Sequence, residues 1–278
     1  MFQSDRIGRE FASALSDAAR RGVQVLVMTD GVGEFYSWPR IRHSLKRHGV
    51  HVARFLPPRL IPPTFYVNLR NHRKILVVDG EVGFTGGMNI GQRHIVDEAQ
   101  QSGTADLHFC LRGPVVEQLA QVFSDDWQFV TGDSPIVPDR SEGTWGTVFA
   151  RCISDGPNDD MDTLSSVIMA VISSAQQAVT IITPYFLPPA GLLSSMQSAA
   201  IRGIDVAIIL PEKSNLRYVD WASRNMLWEL LQYGVASACL MIESLYSEVN
   251  TLRDRFSSSC LGTTCSELWV SGFGITDS

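Results

Sequence analysis

The sequence predicts an α/β protein of two similar α/β/α sandwich lobes with mostly parallel or mixed sheets. Three observations lead there. Residues 18–28, AARRGVQVLVM, align without gaps on residues 199–209, AAIRGIDVAII, at an offset of 181. Both copies read as the end of an amphipathic helix, a glycine stop and an apolar strand, and each leads on to a second helix ending at Gly49-Val50 or Gly234-Val235. Helices alternating with apolar strands pack as layers on a sheet, and a repeated unit implies a repeated lobe. With 278 residues, 45% hydrophobic and 19% charged, the chain can also build cores of that size.

The elements follow in order. A first helix ends near Arg21, and a buried strand runs over residues 23–28. A second helix is expected over 39–48 and a buried strand after Asn71, which returns as a hairpin after Asp79-Gly80. The segment TGDSPIVPDRSEGTWG has the Gly, Pro, Ser and Asp of a linker, which divides the chain into a first lobe over 1–131, a linker over 132–146 and a second lobe over 147–278. In the second lobe a helix over 159–176 and a strand over 179–183 precede the repeat. Only 17 residues precede Ala18 in the first copy, so the first lobe is expected to be N-terminally incomplete by about one helix and one strand.

Composition narrows the function classes. No apolar run reaches the roughly 18 residues of a membrane span, and the first ten residues, MFQSDRIGRE, lack the basic-then-apolar order of a secretory signal. Five cysteines scattered over a long chain are not a disulfide framework, so a cytoplasmic location is expected. The net charge of -6 is uneven: residues 1–140 carry 16 Lys and Arg against 15 Asp and Glu, the remainder 7 against 14. The acidic second half and a pI near 5.5 speak against a nucleic-acid substrate. Residues 35–78 nevertheless hold nine Lys and Arg and no acid, a local attractor for anions. For Arg40 to Arg47 a solvated helix face explains the charge equally well.

The run Asn71-His72-Arg73-Lys74-Ile75-Leu76-Val77-Val78-Asp79 starts polar and becomes apolar. In an extended chain residues two apart share a face, so His72 and Lys74 point the same way. The returning segment Val82 to Asn89 carries Gly86-Gly87, which lets backbone approach a ligand closely, and Asn89, an amide donor. The pattern H-x-K-x4-D-x6-G-G-x-N supplies an imidazole, a cation, an acid, a close-approach turn and an amide. Phosphoryl chemistry uses such a set to position the phosphate, stabilise its charge, and attack it or move a proton. Competing motifs are weak: Gly31-Val32-Gly33 lacks the third glycine of a dinucleotide loop, and no His/Cys cluster has zinc spacing.

On these residues, and on Phe35-Tyr36-Ser37-Trp38-Pro39, Phe55-Leu56-Pro57-Pro58-Arg59, Thr183-Pro184-Tyr185-Phe186-Leu187-Pro188 and Val219-Asp220-Trp221, the chain resembles the bacterial cardiolipin synthase-like branch of the phospholipase D superfamily. The resemblance spans about residues 2–235. It implies the phospholipase D fold, an internal duplication with one H-x-K-x4-D motif per lobe meeting at a single site. It also implies phosphatidyl transfer between phosphatidylglycerol molecules, or hydrolysis, through a phosphohistidine and without metal or other cofactor. Carried over residue by residue, His72 is the nucleophile or its acid/base partner, Lys74 and Asn89 are phosphate clamps, and Asp79 is the motif acid that supports the local fold. Ala105-Asp106-Leu107-His108-Phe109 is similar to the segment that supplies a histidine-orienting carboxylate, which makes Asp106 a candidate beside the alternative of a surface acid at a strand start. Gly86, Gly87, Arg70 and Arg59 are expected on the substrate side. The Pro-rich stretch FLPPRLIPPTFYV, residues 55–67, would either dip into the membrane interface or pack on the core, and the expected location is peripheral to the cytoplasmic membrane.

The chain departs from this pattern in its second half, because all six histidines precede residue 109. The repeat offset, corrected for four extra residues in the second copy, places the second motif near residue 257. If Ser258 stands at the histidine position, Cys260 falls at lysine and Cys265 at aspartate. Either the motif has degenerated in place, or the Ser- and Cys-rich tail is an altered reading of the gene. Two other functions compete with the transferase: a homodimeric single-motif phosphodiesterase or nuclease, and a non-catalytic lipid- or phosphate-binding remnant.

Overall fold

The computed structural model describes residues 2–33, 38–57, 59–60, 63–64, 71–95, 103–104, 106–135, 137, 148, 150–154, 163–211 and 217–240, with backbone alone at 59–60, 63–64, 217 and 237–240. It separates into two compact units, whose described residues fall within Met1–Cys152 and within Ile153–Arg255. Most of the expected linker, over 132–146, lies outside the described residues.

Unit one opens with helix α1 (Arg6–Arg20), whose N-cap Asp5 accepts a hydrogen bond from the Gly8 amide at 2.9 Å. Its end is dictated by Gly22, held at φ 90°, with Val23 N donating to Ala18 O at 3.1 Å and Gly22 N to Ala19 O at 3.0 Å. This paired closure needs a left-handed residue after the helix. The second unit repeats it at the same offset, with Gly203 at φ 84° and the corresponding bonds from Ile204 N to Ala199 O and from Gly203 N to Ala200 O, at 3.1 and 2.9 Å. The duplication read from the sequence is therefore a duplication of cap geometry as well.

After that cap, strand β1 (Leu26–Asp30) pairs in parallel with β2 (His51–Phe55) through the crossover helix α2 (Ile41–Arg47). Ala12, Val25, Ile41, Leu45 and Val50 close a small core behind this pair. A short hairpin, β3 (Arg59–Leu60) with β4 (Pro63–Thr64), follows. Strands β5 (Ile75–Val78), β6 (Val82–Gly86) and β7 (His108–Arg112) then form an antiparallel sheet in chain order. Helix α3 (Val115–Thr131) packs on β2 and on all three of these strands, with Val116, Leu119 and Trp127 buried. Gly83 makes that approach close, since a Cβ there would meet Leu119 Cδ1 at 2.9 Å. Where mostly parallel or mixed sheets were expected, the first unit holds a parallel pair and a separate antiparallel sheet, because the Asp79-Gly80 hairpin turns β6 back along β5.

Unit two runs α4 (Thr163–Ser174), β8 (Ala178–Ile182), α5 (Ala190–Ile201), β9 (Asp205–Pro211), α6 (Arg217–Leu231) and β10 (Ala236–Leu240). Its three strands form a parallel sheet with β9 in the middle, as two right-sized helical crossovers require. Ile172, Met196, Val206, Ile208 and Leu230 are almost fully excluded from solvent and form its core. Each helix and strand expected here from periodicity is present within a few residues at either end. Among the described residues no helix is long and apolar enough to cross a membrane.

Candidate active site

The site is assembled from the entry to β5, the end of β6 with the turn behind it, and the segment leading into β7. His72 and Lys74 lie in the extended stretch before Ile75, His72 exposed and Lys74 half-buried. Lys74 Nζ donates to the His72 carbonyl at 2.6 Å, so the cation and the backbone of the histidine are tied together. β5 then carries the chain away to Asp79 and Gly80, which occupy the hairpin turn at φ 53° and 70°, with Glu81 N closing on Val78 O at 3.0 Å. Five residues of extended chain separate Lys74 from Asp79, roughly 17 Å. Asp79 is exposed in this turn, on the far side of the strand from the lysine.

β6 brings the chain back, and Gly86 and Gly87 pass directly beside the start of β7. Gly86 pairs with His108, and a Cβ there would meet the His108 Cα at 2.7 Å and its Nδ1 at 2.9 Å. Gly87 N donates to Leu107 O at 2.9 Å, and a Cβ on Gly87 would collide with the Asp106 carboxylate. The glycine pair is thus needed for protein-to-protein approach: it makes room for Asp106 and His108. Asp106 itself accepts from the Leu107 amide at 2.8 Å.

Beyond the glycines, Asn89 leads into a 3-10 turn over Gln92–His94. His94 is only 5% exposed, and two donors converge on its Nε2: Arg93 Nε at 3.1 Å and Asn89 Nδ2 at 3.4 Å. Acceptance at Nε2 assigns the ring proton to Nδ1, which is buried and without a hydrogen-bond partner among the described residues. This arrangement suits a neutral imidazole. Burial pushes His94 below the ordinary histidine value, Arg93 adds to that, and Asp106 opposes it. Burial also lowers Lys74, with Asp106 opposing and Arg93 adding. His108 shifts the same way for the same first reason, although the residue is exposed by area; its shift counts for less than that of the enclosed His94. Lys74, Arg93, Asn89, Asp106, His94 and His108 therefore share one electrostatic neighbourhood, able to present two cations and an amide to an oxyanion.

A pH dependence of stability follows from His94. An unfolded histidine titrates near 6.5, whereas in the fold His94 titrates lower. As pH falls through that range the unfolded chain takes up the proton first, so the stability present above it is lost. The thermal midpoint is expected to fall as pH drops below the ordinary histidine range, and that of a His94→Gln variant to fall less. Equal slopes for the two would refute the assignment of His94 as a buried neutral ring.

The sequence motifs assign no role to Arg93 or His94, and His108 enters only as a neighbour of Asp106. A polar Gln-Arg-His turn just after Asn89, and the D-x-H spacing that puts Asp106 and His108 on one face, were the available signals. Of the residues expected on the substrate side, Arg70 lies outside the described residues, and Arg59 is described only as backbone in β3. The positions 258, 260 and 265 of the second motif also lie outside them.

An α/β duplication with an H-x-K-x4-D-x6-G-G-x-N hairpin in its first unit places the chain in the phospholipase D class. More narrowly, a family model described as "Cardiolipin synthase, PLD-like domain" matches residues 1–127 and 168–249, and the chain belongs to that family. It is 34% identical over 239 residues to cardiolipin synthase 2 of Bacillus anthracis, covering 84% of this chain and 46% of that protein. With the cardiolipin synthase of Geobacillus kaustophilus it shares 34% identity over 238 residues, covering 83% and 47%. The chain spans about half the length of these relatives. Against the solved structure of phosphatidylserine synthase from Haemophilus influenzae Rd KW20 it has a TM-score of 0.46 and 14% identity, covering 94% of this chain and 64% of that one.

Proposed function

We propose that the chain carries the phosphohistidine-forming part of a cardiolipin synthase-like phosphatidyltransferase. The observation that supports this best is that Lys74, held to the carbonyl of an exposed His72, lies within Coulombic reach of Asp106 and Arg93. In the first step a His72 ring nitrogen attacks the phosphodiester phosphorus of phosphatidylglycerol; a P–N bond forms, the P–O bond to glycerol breaks, and an acid protonates the leaving alkoxide. In the second, the hydroxyl of another phosphatidylglycerol attacks phosphorus, its proton goes to a base, and the P–N bond breaks to release cardiolipin. Water in place of that hydroxyl gives hydrolysis to phosphatidic acid. Lys74 and Asn89 hold the non-bridging oxygens, Asp106 biases the neighbouring imidazoles, and Asp79 with Gly80 shapes the hairpin that presents the motif. Arg59 and Arg70 are proposed to meet lipid phosphates from the basic stretch before β5, which would place the protein peripherally on an anionic membrane.

A second reading is favoured by one fact, that every histidine precedes residue 109. Two copies of the chain, each supplying one His72 motif, would form a homodimeric phosphodiesterase. Vesicles of phosphatidylglycerol, of phosphatidylcholine, and of neither plus bis(4-nitrophenyl) phosphate separate the readings. Flotation with the anionic vesicles alone is the expected result, with cardiolipin and free glycerol among the products only once a second motif completes the site. Equal failure to float with both lipids, together with hydrolysis of the small diester, would instead favour the soluble phosphodiesterase.

A further inference from the structure

The residues on either side of the motif histidine converge on one carboxylate from another element. Asn71 Nδ2 donates to Asp126 Oδ2 at 2.8 Å, and the Arg73 guanidinium donates to Asp126 Oδ1 at 2.6 Å. Asn71 Oδ1 closes the ring by accepting from the Arg73 backbone amide at 2.9 Å. The Asp126 side chain is 13% exposed and its bond to Asn71 is part-buried, while the charge-assisted bond to Arg73 stays open to solvent on the arginine side. Asp126 sits on α3 beside the buried Trp127, on a helix already packed against β5, β6 and β7.

The Asn71 and Arg73 side chains turn toward α3 to reach Asp126, while Lys74 folds back on the backbone of His72. The His72 carbonyl is held by Lys74 Nζ at 2.6 Å. We infer that Asp126 is a positioning residue: by holding Asn71 and Arg73 it fixes the direction in which the His72 imidazole leaves the backbone. The inference rests on the reading of His72 as the reacting group, and it places part of the site's precision on a helix that carries none of the motif. Both partners donate, so a carboxylate with acceptors on both oxygens is the matching group. An asparagine of the same shape offers one acceptor and turns a donor toward a donor.

The test follows the His72 ring itself, without requiring turnover. Imidazole 1H–15N spectra of the whole chain are recorded, with His72 assigned from His72→Gln. Asp126→Asn is expected to shift or broaden the His72 signals and to change its rate of diethyl pyrocarbonate modification by at least about threefold, the lower range of coupling within one hydrogen-bond network. Asp125→Asn, which removes the neighbouring carboxylate bonded to Gln121 Nε2 at 2.7 Å, should leave His72 unchanged. Asp126→Glu keeps both acceptors and should restore part of the native spectrum. Should Asp126→Asn not fold, Arg73→Gln removes one arm only and should displace His72 in the same way. A lowered thermal midpoint with His72 signals and reactivity unchanged would overturn the inference. Turnover that survives His72→Ala would instead sink the reading of His72 as nucleophile and leave the positioning measurement standing.

Discussion

Replacing His72 with alanine is expected to lower phosphodiester turnover about a thousandfold or more, because the covalent route loses the atom that attacks phosphorus. The same change should move the thermal midpoint little, since the residue is exposed and enters no core. The dissociation of the two effects is the diagnostic. Lys74 remains to attract the anion, so a His72→Ala protein that still retains phosphate-containing ligands but no longer forms an acid-labile phosphoprotein fits the proposal. Bis(4-nitrophenyl) phosphate hydrolysis and differential scanning fluorimetry on the same preparations decide it: preserved turnover with a lowered midpoint returns His72 to a structural role.

The unmodified monomer should turn over phosphatidylglycerol little or not at all, and rebuilding the second motif should raise that baseline at least about a hundredfold, the low end of general acid-base contributions. The reason is the leaving alkoxide. His94 and His108 both titrate below the ordinary histidine value, and the His94 Nε2 already accepts from Arg93, so neither is placed to hold a proton for a departing alcohol near neutral pH. In the aligned register of the second copy a serine and two cysteines stand at 258, 260 and 265. A serine hydroxyl is a very weak acid, and a cysteine brings no positive charge to a phosphate. The triple variant Ser258→His, Cys260→Lys, Cys265→Asp restores an acid, a cation and the motif carboxylate together. Cardiolipin formation by a chain verified as monomeric by light scattering, without these changes, would show that another group supplies the proton.

Much of the architecture was readable because it is locally encoded. The glycine that stops α1 and the one that stops α5 occupy equivalent positions in the aligned segments, and their caps match bond for bond. Asp79-Gly80 announced a tight hairpin, and the apolar run after Lys74 announced its first strand. What the sequence does not display is which distant residues those strands bring together. Asp126 lies more than fifty positions after Asn71 and looks like any acid on a helix until α3 is docked. His94 resembles a surface histidine in a polar turn, yet packing makes it one of the few buried polar residues. The role expected of Gly86-Gly87, close approach to a ligand, has a structural counterpart in the clearance of Asp106 and His108. Spacing alone could indicate that small residues were required there, but not what would fill the space.

The strand ladders have a consequence for synthesis on the ribosome. Every ladder among the described residues joins strands of one unit, and the widest-spaced partners, Val82 and Arg112, are thirty residues apart. The parallel pairs are no more demanding, since Leu26 meets His51 and Ala207 meets Ala236 across single helical crossovers. Closing loops of that length costs only slowly increasing entropy, so each sheet can form soon after its last strand leaves the exit tunnel. The three strands around the His72 hairpin need nothing beyond α3 to be covered on the face it packs. The sheet around the His72 hairpin can therefore pair while residues 153–255 are still being translated.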